Sequence, residues 1–223
     1  MNPPDPTARR HSRSPAVSRR ALLLAGASAL LPRASRAQTP LDDLLARISR
    51  ARATVRTLRG PFTQTRTIGI LSTDVRSTGT MTLVRPDRLR WELGAPDDVT
   101  FWVIPEGLAY RSAHGEGRLP AASARLGGAL DDLRTLFGGD LSRLRERWDL
   151  RVARDDGNGA ELEATPHPGA GGTLRSLRMA LAPDLVRPTR ALLVEGPRDK
   201  TVIDFGALAV NGPVDEALMR PPK

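Results

Sequence analysis

The sequence has 223 residues, no cysteine and few aromatic residues, which make up 4% of it. The lack of cysteine excludes disulfide bonds, thiolate zinc sites and cysteine nucleophiles, and the shortage of aromatic rings argues against a base-stacking surface. The formal net charge of +9 is concentrated at the start, because residues 1–37 hold seven of the 34 basic residues and only one acidic residue, Asp5. The rest of the chain is nearly balanced, so we expect no nucleic-acid partner.

The first predicted element is a signal peptide. Two adjacent arginines precede an apolar stretch of 11 residues, 21–31, whereas about 20 apolar residues are needed to span a bilayer. Small residues follow at Ser35 and Ala37, as at a signal peptidase site. The arginine pair resembles a twin-arginine export signal. We predict that residues 1–37 are a signal peptide and that residues 38–223 form one exported domain; an uncleaved membrane anchor is the alternative.

An amphipathic helix is predicted to begin at Pro40. Thr39 supplies a capping hydroxyl, and two aspartates follow in the first turn, at the positive end of the helix dipole. Apolar residues recur at helical spacing as far as Leu58. We therefore expect the helix to continue to Gly60-Pro61 and to lay its apolar face on the rest of the domain.

After this helix the apolar period changes to two, as in antiparallel strands with one buried and one solvated face. In residues 88–93 a charged stripe that we expect to be solvated is formed by Arg88, Arg90 and Glu92. Turns rich in glycine and proline separate about ten such strands, which predicts an α+β fold. Apolar positions in the alternating segments include Met81, Leu83, Leu89, Trp91, Leu177 and Met179.

One insertion interrupts the strands. Residues 121–137 carry leucines at helical spacing and are followed by Gly138-Gly139, which is either a hinge or a helix stop. Asp140 is then placed to cap a short second helix. The side chains with which we expect the insertion to cover the sheet are Leu126, Leu130, Leu133 and Phe137.

Residues suited to catalysis are scarce. Beyond the leader the only histidines are His114 and His167, and no nucleophile-elbow pattern accompanies them. Asp97-Asp98 and Asp155-Asp156 lie in turns, where capping explains them better than a metal site does. We therefore predict a protein that is not an enzyme and has no cofactor; a histidine-dependent hydrolase acting on envelope esters is the alternative.

The predicted sheet and helices can enclose an apolar cavity between them. A curved antiparallel sheet with one apolar face must close, pack on a second sheet or be covered by helices. Helices over such a sheet either leave an apolar cavity or fill the space as an ordinary core, and periodicity alone favours the core. A cavity would suit acyl chains, because each buried methylene contributes about 0.8 kcal/mol.

Three short motifs and a closing segment occur in order along the chain. The motifs are Phe62-Thr63-Gln64, Ser77-Thr78-Gly79, and Arg85-Pro86 followed by Trp91. The closing segment is residues 213–222. Together they resemble the LolA-like outer-membrane lipoprotein carrier family, in which the tryptophan follows the arginine at the spacing found here. The resemblance extends from about Leu41 to Pro222.

The resemblance implies an incomplete, half-open antiparallel barrel with a helical lid. It also implies a periplasmic carrier that takes acylated lipoproteins from an inner-membrane ABC-type exporter and delivers them to an outer-membrane acceptor, without metal or nucleotide. We expect a monomer. The residues that would line the acyl-chain cavity are Phe62, Met81, Leu83, Leu89, Trp91, Leu177 and Met179.

Some assignments stay open. In the family the arginine before that proline ties its strand to the lid; Arg85 here is either this latch or a solvated cation. The few aromatics and the twin-arginine signal depart from the best-known carriers, so glycolipids or other acyl lipids are alternative cargo. A periplasmic sensor domain that binds lipids and signals to a membrane partner is an alternative of another functional class.

Overall fold

The computed structural model describes residues 39–121, 132, 135–137, 140–170 and 174–222. The helix α1 comprises Pro40–Arg52, a 3-10 helix comprises Leu141–Glu146, and Asp132 and residues 135–137 are helical. No helix in these described ranges is both long and apolar enough to cross a membrane. The strands of the described chain are β1 (Thr57–Ile68), β2 (Thr73–Val84), β3 (Arg88–Leu93), β4 (Val99–Ile104), β5 (Gly107–Ser112), β6 (Gly115–Pro120), β7 (Trp148–Asp155), β8 (Ala160–Pro166), β9 (Ser176–Leu181), β10 (Pro188–Val194), β11 (Lys200–Phe205) and β12 (Ala209–Val210).

The strands form one antiparallel sheet. Its order is β6-β5-β4-β3-β2-β1-β11-β10-β9-β8-β7, and the short β12 also pairs with β1. The strands β6 and β7 lie at the two ends of this order, so the sheet is open rather than a closed barrel. The predicted α+β fold, with a half-open antiparallel sheet and few helices, is confirmed. The sheet has 12 strands where about ten were predicted.

The start of α1 agrees with the prediction. The Thr39 hydroxyl accepts a hydrogen bond from the Asp42 N–H at 3.2 Å, and the Asp42 carboxylate accepts one from the Thr39 N–H at 3.3 Å. This reciprocal capping box satisfies backbone donors that have no partner inside the helix. Asp43 and Arg47 form the expected ion pair one turn apart, at 3.2 Å.

The end of α1 differs from the prediction. The helix ends at Arg52, so its predicted extension to Gly60-Pro61 is wrong. Val55 and Leu58 continue the helical spacing and are buried, but Val55 lies in the connection and Leu58 lies in β1. Because β1 pairs with β2 along its whole length, sheet hydrogen bonding overrides a helical period that these two residues also satisfy.

Pro61 is tolerated inside β1 because it faces the gap between β11 and β12, the two strands that pair with this edge of β1. Its carbonyl oxygen accepts a hydrogen bond from the Gly206 N–H at 2.9 Å. In an antiparallel strand the N–H and C=O of one residue face the same neighbour. The missing N–H of Pro61 therefore faces residues 206–208, which lie between β11 and β12 and belong to neither strand.

One face of the sheet carries the core. Residues opposite each other on paired strands share a face, and Leu58, Leu83 and Leu89 lie side by side in this way on β1, β2 and β3. All three are buried in a cluster that includes Leu44 and Ile48 of α1. The apolar face of α1 therefore covers the apolar face of the sheet, which is the arrangement predicted by the two periodicities.

The C-terminal segment, residues 211–222, covers part of the opposite face. The Trp102 Nε1–H donates to the carbonyl oxygen of Leu218 at 2.9 Å. The guanidinium carbon of Arg90 lies 5.7 Å from the centre of the Trp102 ring, and Arg90 is only 9% exposed. The prediction that Arg90 is solvated is therefore wrong, because alternation along a strand does not reveal a distant segment that returns over the polar face.

Candidate functional site

The residues predicted to contact acyl chains lie on the core face of the sheet. They are Phe62 in β1, Met81 and Leu83 in β2, Leu89 and Trp91 in β3, and Leu177 and Met179 in β9. All except Trp91 are at most 8% exposed, and Trp91 packs against the same cluster. The structure therefore brings the whole predicted set together in one buried cluster.

Four aromatic rings pack together in this core, and we name them the aromatic cluster: Phe62, Trp91, Phe137 and Phe205. The rings of Phe62 and Trp91 are stacked, with their centres 4.0 Å apart. The Phe205 ring meets Trp91 edge-on at 6.1 Å. Such pairs stabilise a fold by about 0.5–1.5 kcal/mol beyond their area burial. Phe205 was not predicted as a site residue, although its place opposite Phe62 follows from the pairing of β1 with β11.

Phe137 is the described member of the predicted lid. Its ring centre lies 5.9 Å from that of Trp91 and 6.0 Å from that of Phe205. Phe137 and Leu136 are both buried and helical. The helical residues 135–137 therefore close the aromatic cluster from above the sheet. The other predicted lid residues lie outside the described residues: Leu126, Leu130 and Leu133.

Arg85 follows β2 directly and reaches the end of α1. Its Nη1 donates to the carbonyl oxygen of Arg52 and, at 3.3 Å, to that of Val55. The last carbonyls of a helix have no partner inside it and carry partial negative charge, so a cation is favourable there. The hydrogen bonds of Arg85 therefore join the sheet to α1 rather than to residues 135–137.

Arg52 makes the contact to residues 135–137. Its Nη1 donates to the carbonyl oxygen of Leu136 at 3.0 Å, and the residue is 3% exposed. Its Nε has no hydrogen-bond partner within the described residues. Burial lowers the pKa of Arg52 to about 10, and the nearby charge of Arg85 adds to this shift, whereas Asp184 opposes it. Arg52 therefore remains charged at neutral pH.

Sequence reasoning missed Arg52 as a functional residue. The signal was present, because Arg52 follows Ile48 by one helical turn and so lies on the apolar stripe of α1. An arginine on an apolar stripe requires either a snorkelling path to water or a buried acceptor. Here the acceptor is the carbonyl oxygen of Leu136, which belongs to a segment distant in sequence.

A cleft of about 990 Å³ lies beside β1–β5 and β11. Of the predicted acyl-chain residues only Phe62 borders it. Seven of its bordering side chains alternate with core residues along their strands and so point away from the core: Thr63, Thr78, Thr80, Glu92, Thr100, Arg111 and Asp204. Leu93, Val99 and the ring of Phe205 also border the cleft, so polar and apolar side chains share its walls and it reaches the edge of the aromatic cluster.

The histidines show no catalytic arrangement in the described chain. The Nε2 of His167 lies 3.3 Å from Asp149 Oδ1, and this pair is exposed to solvent. His114 lies in the turn between β5 and β6, where its N–H donates to the Ser112 hydroxyl at 3.2 Å. No group of three or more potential metal-ligand side chains occurs among the described residues.

Residues 53–103 match the family model described as outer membrane lipoprotein carrier protein LolA. The matched segment contains Phe62, Arg85 and Trp91, which carry the resemblance seen in the sequence. That resemblance is therefore confirmed over this part of the chain. A search of curated proteins finds no match.

Three solved structures show a distant likeness. A LolA superfamily protein from Nitrosomonas europaea is 9% identical, over 82% of this chain and 98% of that chain, with a TM-score of 0.46. A DUF1329 family protein from Desulfovibrio piger is 14% identical, over 80% of this chain and 95% of that chain, with a TM-score of 0.47. A chain of the Pseudomonas aeruginosa MucA/MucB complex is 17% identical, over 80% of this chain and 60% of that chain, with a TM-score of 0.45.

Proposed function

We propose that this LolA-like chain is a periplasmic carrier that shields the acyl chains of lipoproteins during transfer between membranes. An inner-membrane ABC-type exporter would supply the cargo and an outer-membrane acceptor would receive it. The observation that supports this proposal most is the aromatic cluster, which is covered by the helical residues 135–137 rather than by a second sheet. The predicted export signal and the match of residues 53–103 support the compartment and the class.

An acyl chain would bind by replacing protein side chains on the core face. A chain that buries about ten methylenes gains about 8 kcal/mol from leaving water. Moving Phe137 away from Trp91 and Phe205 sacrifices two aromatic contacts, each contributing about 0.5–1.5 kcal/mol, and also the burial of the Phe137 side chain, which contributes about 1.5–3 kcal/mol. The exchange is therefore favourable without a nucleotide or a metal, and an acceptor that is more apolar can reverse it. Leu126, Leu130 and Leu133 are proposed to cover the bound chain with Phe137.

We further propose that Arg52 and Arg85 form an arginine latch that restrains this opening. Arg85 holds the end of α1, and Arg52 joins α1 to the carbonyl oxygen of Leu136. A hydrogen bond from a charged donor contributes about 1.5–3 kcal/mol. Because this is smaller than the gain from burying one acyl chain, cargo can open the latch, while the empty protein stays closed.

The experiment is a titration of the mature protein with a dansyl-labelled undecanoic acid, followed by dansyl emission. Phe205 and Asp204 are neighbours in β11 whose side chains point to opposite faces. We expect saturable binding that Phe205→Gln weakens at least about tenfold, because the amide would be desolvated by the acyl chain. Asp204→Gln is the matched control and should bind as the unmodified protein does. Equal effects of both substitutions, or no saturable binding, would contradict the proposal.

A further inference from the structure

The turn between β1 and β2 carries two adjacent aliphatic side chains that are almost fully in water. Ile70 is 92% exposed and Leu71 is 66% exposed. Turns of this kind ordinarily use small polar residues or glycine at their tips. Two neighbouring large aliphatic side chains at the tip of a hairpin with strands of 12 residues therefore indicate a contact outside the chain.

The turn holds these side chains in a fixed position. The Leu71 N–H donates to the Ile68 carbonyl oxygen at 3.1 Å, within the turn. The Gly69 N–H donates to Asp199 Oδ1 at 2.9 Å, which attaches the turn to the neighbouring connection between β10 and β11. A Cβ at Gly69 would collide with the side chain of Arg198, so the two turns are closely packed. The aliphatic pair is therefore presented by a braced turn.

Three cationic side chains lie near this tip, on β2, on β11 and on the connection that precedes β11. Arg76, Arg198 and Lys200 are exposed, and none has an ion-pair partner among the residues that the structure describes. Three acids, Asp74, Glu195 and Asp199, lie on the same strands and turns and balance these three cations. An aliphatic tip within a charged but balanced rim matches the boundary between acyl chains and lipid headgroups.

We propose that the membrane-contact tip, formed by Ile70 and Leu71, inserts into the surface of a lipid bilayer. A specific protein interface needs about 800 Å² on each partner with complementary shape, whereas the exposed apolar part here is two side chains. A bilayer needs no matching pocket and accepts a protruding tip directly.

This proposal goes beyond acyl-chain binding and depends on other residues. The tip lies at the β1–β2 turn, whereas the aromatic cluster lies within the core. Loss of one property therefore leaves the other measurable. A variant that fails to bind vesicles but still binds the dansyl-labelled undecanoic acid would separate the two.

The experiment measures sedimentation of the mature protein with vesicles of phosphatidylethanolamine and phosphatidylglycerol. We expect the double substitution Ile70→Ser with Leu71→Ser to weaken binding at least about tenfold, because the aliphatic surface that leaves water is lost. Leu119→Ser is the matched control, since Leu119 is 45% exposed elsewhere on the sheet. Both sites are exposed, so melting temperatures should stay unchanged.

A second measurement reports insertion directly. The chain has no cysteine, so Ile70→Cys and Leu119→Cys each give one site for an environment-sensitive nitrobenzoxadiazole label. We expect vesicles to shift the emission of the label at position 70 to shorter wavelength and to leave the label at position 119 unchanged. Absence of vesicle binding, equal loss in the Leu119→Ser control, or no emission shift at position 70 would overturn the proposal.

Discussion

The Nη1 atom of Arg52 lies 3.0 Å from the carbonyl oxygen of Leu136, and this hydrogen bond joins α1 to the segment that carries Phe137. Arg85 in turn donates to the backbone carbonyl oxygen of Arg52. Three parts of the fold, the end of β2, α1 and residues 135–137, are therefore connected through one residue. Within the described residues both cations donate to backbone oxygens, and neither forms an ion pair with a carboxylate of those residues.

Arg52→Met tests the link to Leu136. The substitution removes the hydrogen bond but keeps an apolar side chain of similar length. We expect release of a bound acyl probe to become about tenfold faster or more, because a hydrogen bond from a charged donor contributes about 1.5–3 kcal/mol. Global stability should change little, since a desolvated charge is removed at the same time. Stopped-flow dissociation measures the rate.

Arg50→Met is the matched control for that experiment. Arg50 lies in the same last turn of α1 and is exposed. Arg50→Met removes the same charge from the same helical turn, and the Arg50 side chain forms no hydrogen bond with the described lid residues 135–137. Equal release rates in the Arg50 and Arg52 variants would show that the bond to Leu136 does not restrain opening.

Arg85→Leu tests the attachment of α1 to β2. The carbonyl oxygen of Arg52 that accepts from Arg85 also accepts from the Val55 N–H, at 3.1 Å. Loss of the guanidinium should lower the free energy of unfolding by about 1–3 kcal/mol and speed hydrogen exchange at the Val55 amide. Exposed Arg56, replaced by leucine, provides the comparison. Unchanged exchange and unchanged probe release in Arg85→Leu would leave Arg85 without a latch role.

Substitutions of Phe137 test whether its side chain and an acyl chain compete for the same space. Phe137→Leu removes a ring that contacts Trp91 and Phe205, so less must be displaced when a chain enters. We expect the affinity for the acyl probe to rise several-fold, while stability falls by about 1 kcal/mol. Phe137→Trp should act in the opposite direction on affinity. A lower affinity in Phe137→Leu would mean that the ring holds the ligand instead of covering the site.

Trp102→Phe tests whether the face of the sheet covered by residues 211–222 is independent of acyl-chain binding on the core face. The indole N–H donates to the Leu218 carbonyl oxygen on the face away from the core. Its loss should destabilise the C-terminal segment by about 1 kcal/mol, which a denaturant titration detects as a lower midpoint. Binding of the acyl probe should be unaffected. A large change in probe affinity would indicate that residues 211–222 contribute to the binding site.

Local patterns in the sequence predicted the parts of the fold that depend on neighbours in the chain. The capping of α1 by Thr39 follows from residues three apart, and the core face of β2 and β3 follows from strict alternation at Met81, Leu83, Leu89 and Trp91. The LolA-like resemblance supplied the half-open arrangement, which periodicity alone left undecided among several ways of covering a sheet.

The remaining features depend on contacts between distant segments. The end of α1 could not be placed because the spacing of Val55 and Leu58 satisfies both a helix and its actual continuation into β1. Burial of Arg90 depends on the return of residues 211–222 over the polar face. The role of Arg52 depends on a carbonyl acceptor 84 residues further along the chain. No local propensity encodes such partners.

The central claim is that the core face binds the acyl chains of lipoproteins, and native mass spectrometry tests it most directly. The mature protein would be isolated from its native envelope in its exported form and weighed with its bound ligand. We predict an added mass that matches a triacylated polypeptide. A bound glycolipid or phospholipid would retain the acyl-binding face but contradict lipoprotein carriage. A protein that is empty, and that takes up no triacylated lipopeptide on incubation, would show that the aromatic cluster is only a filled core.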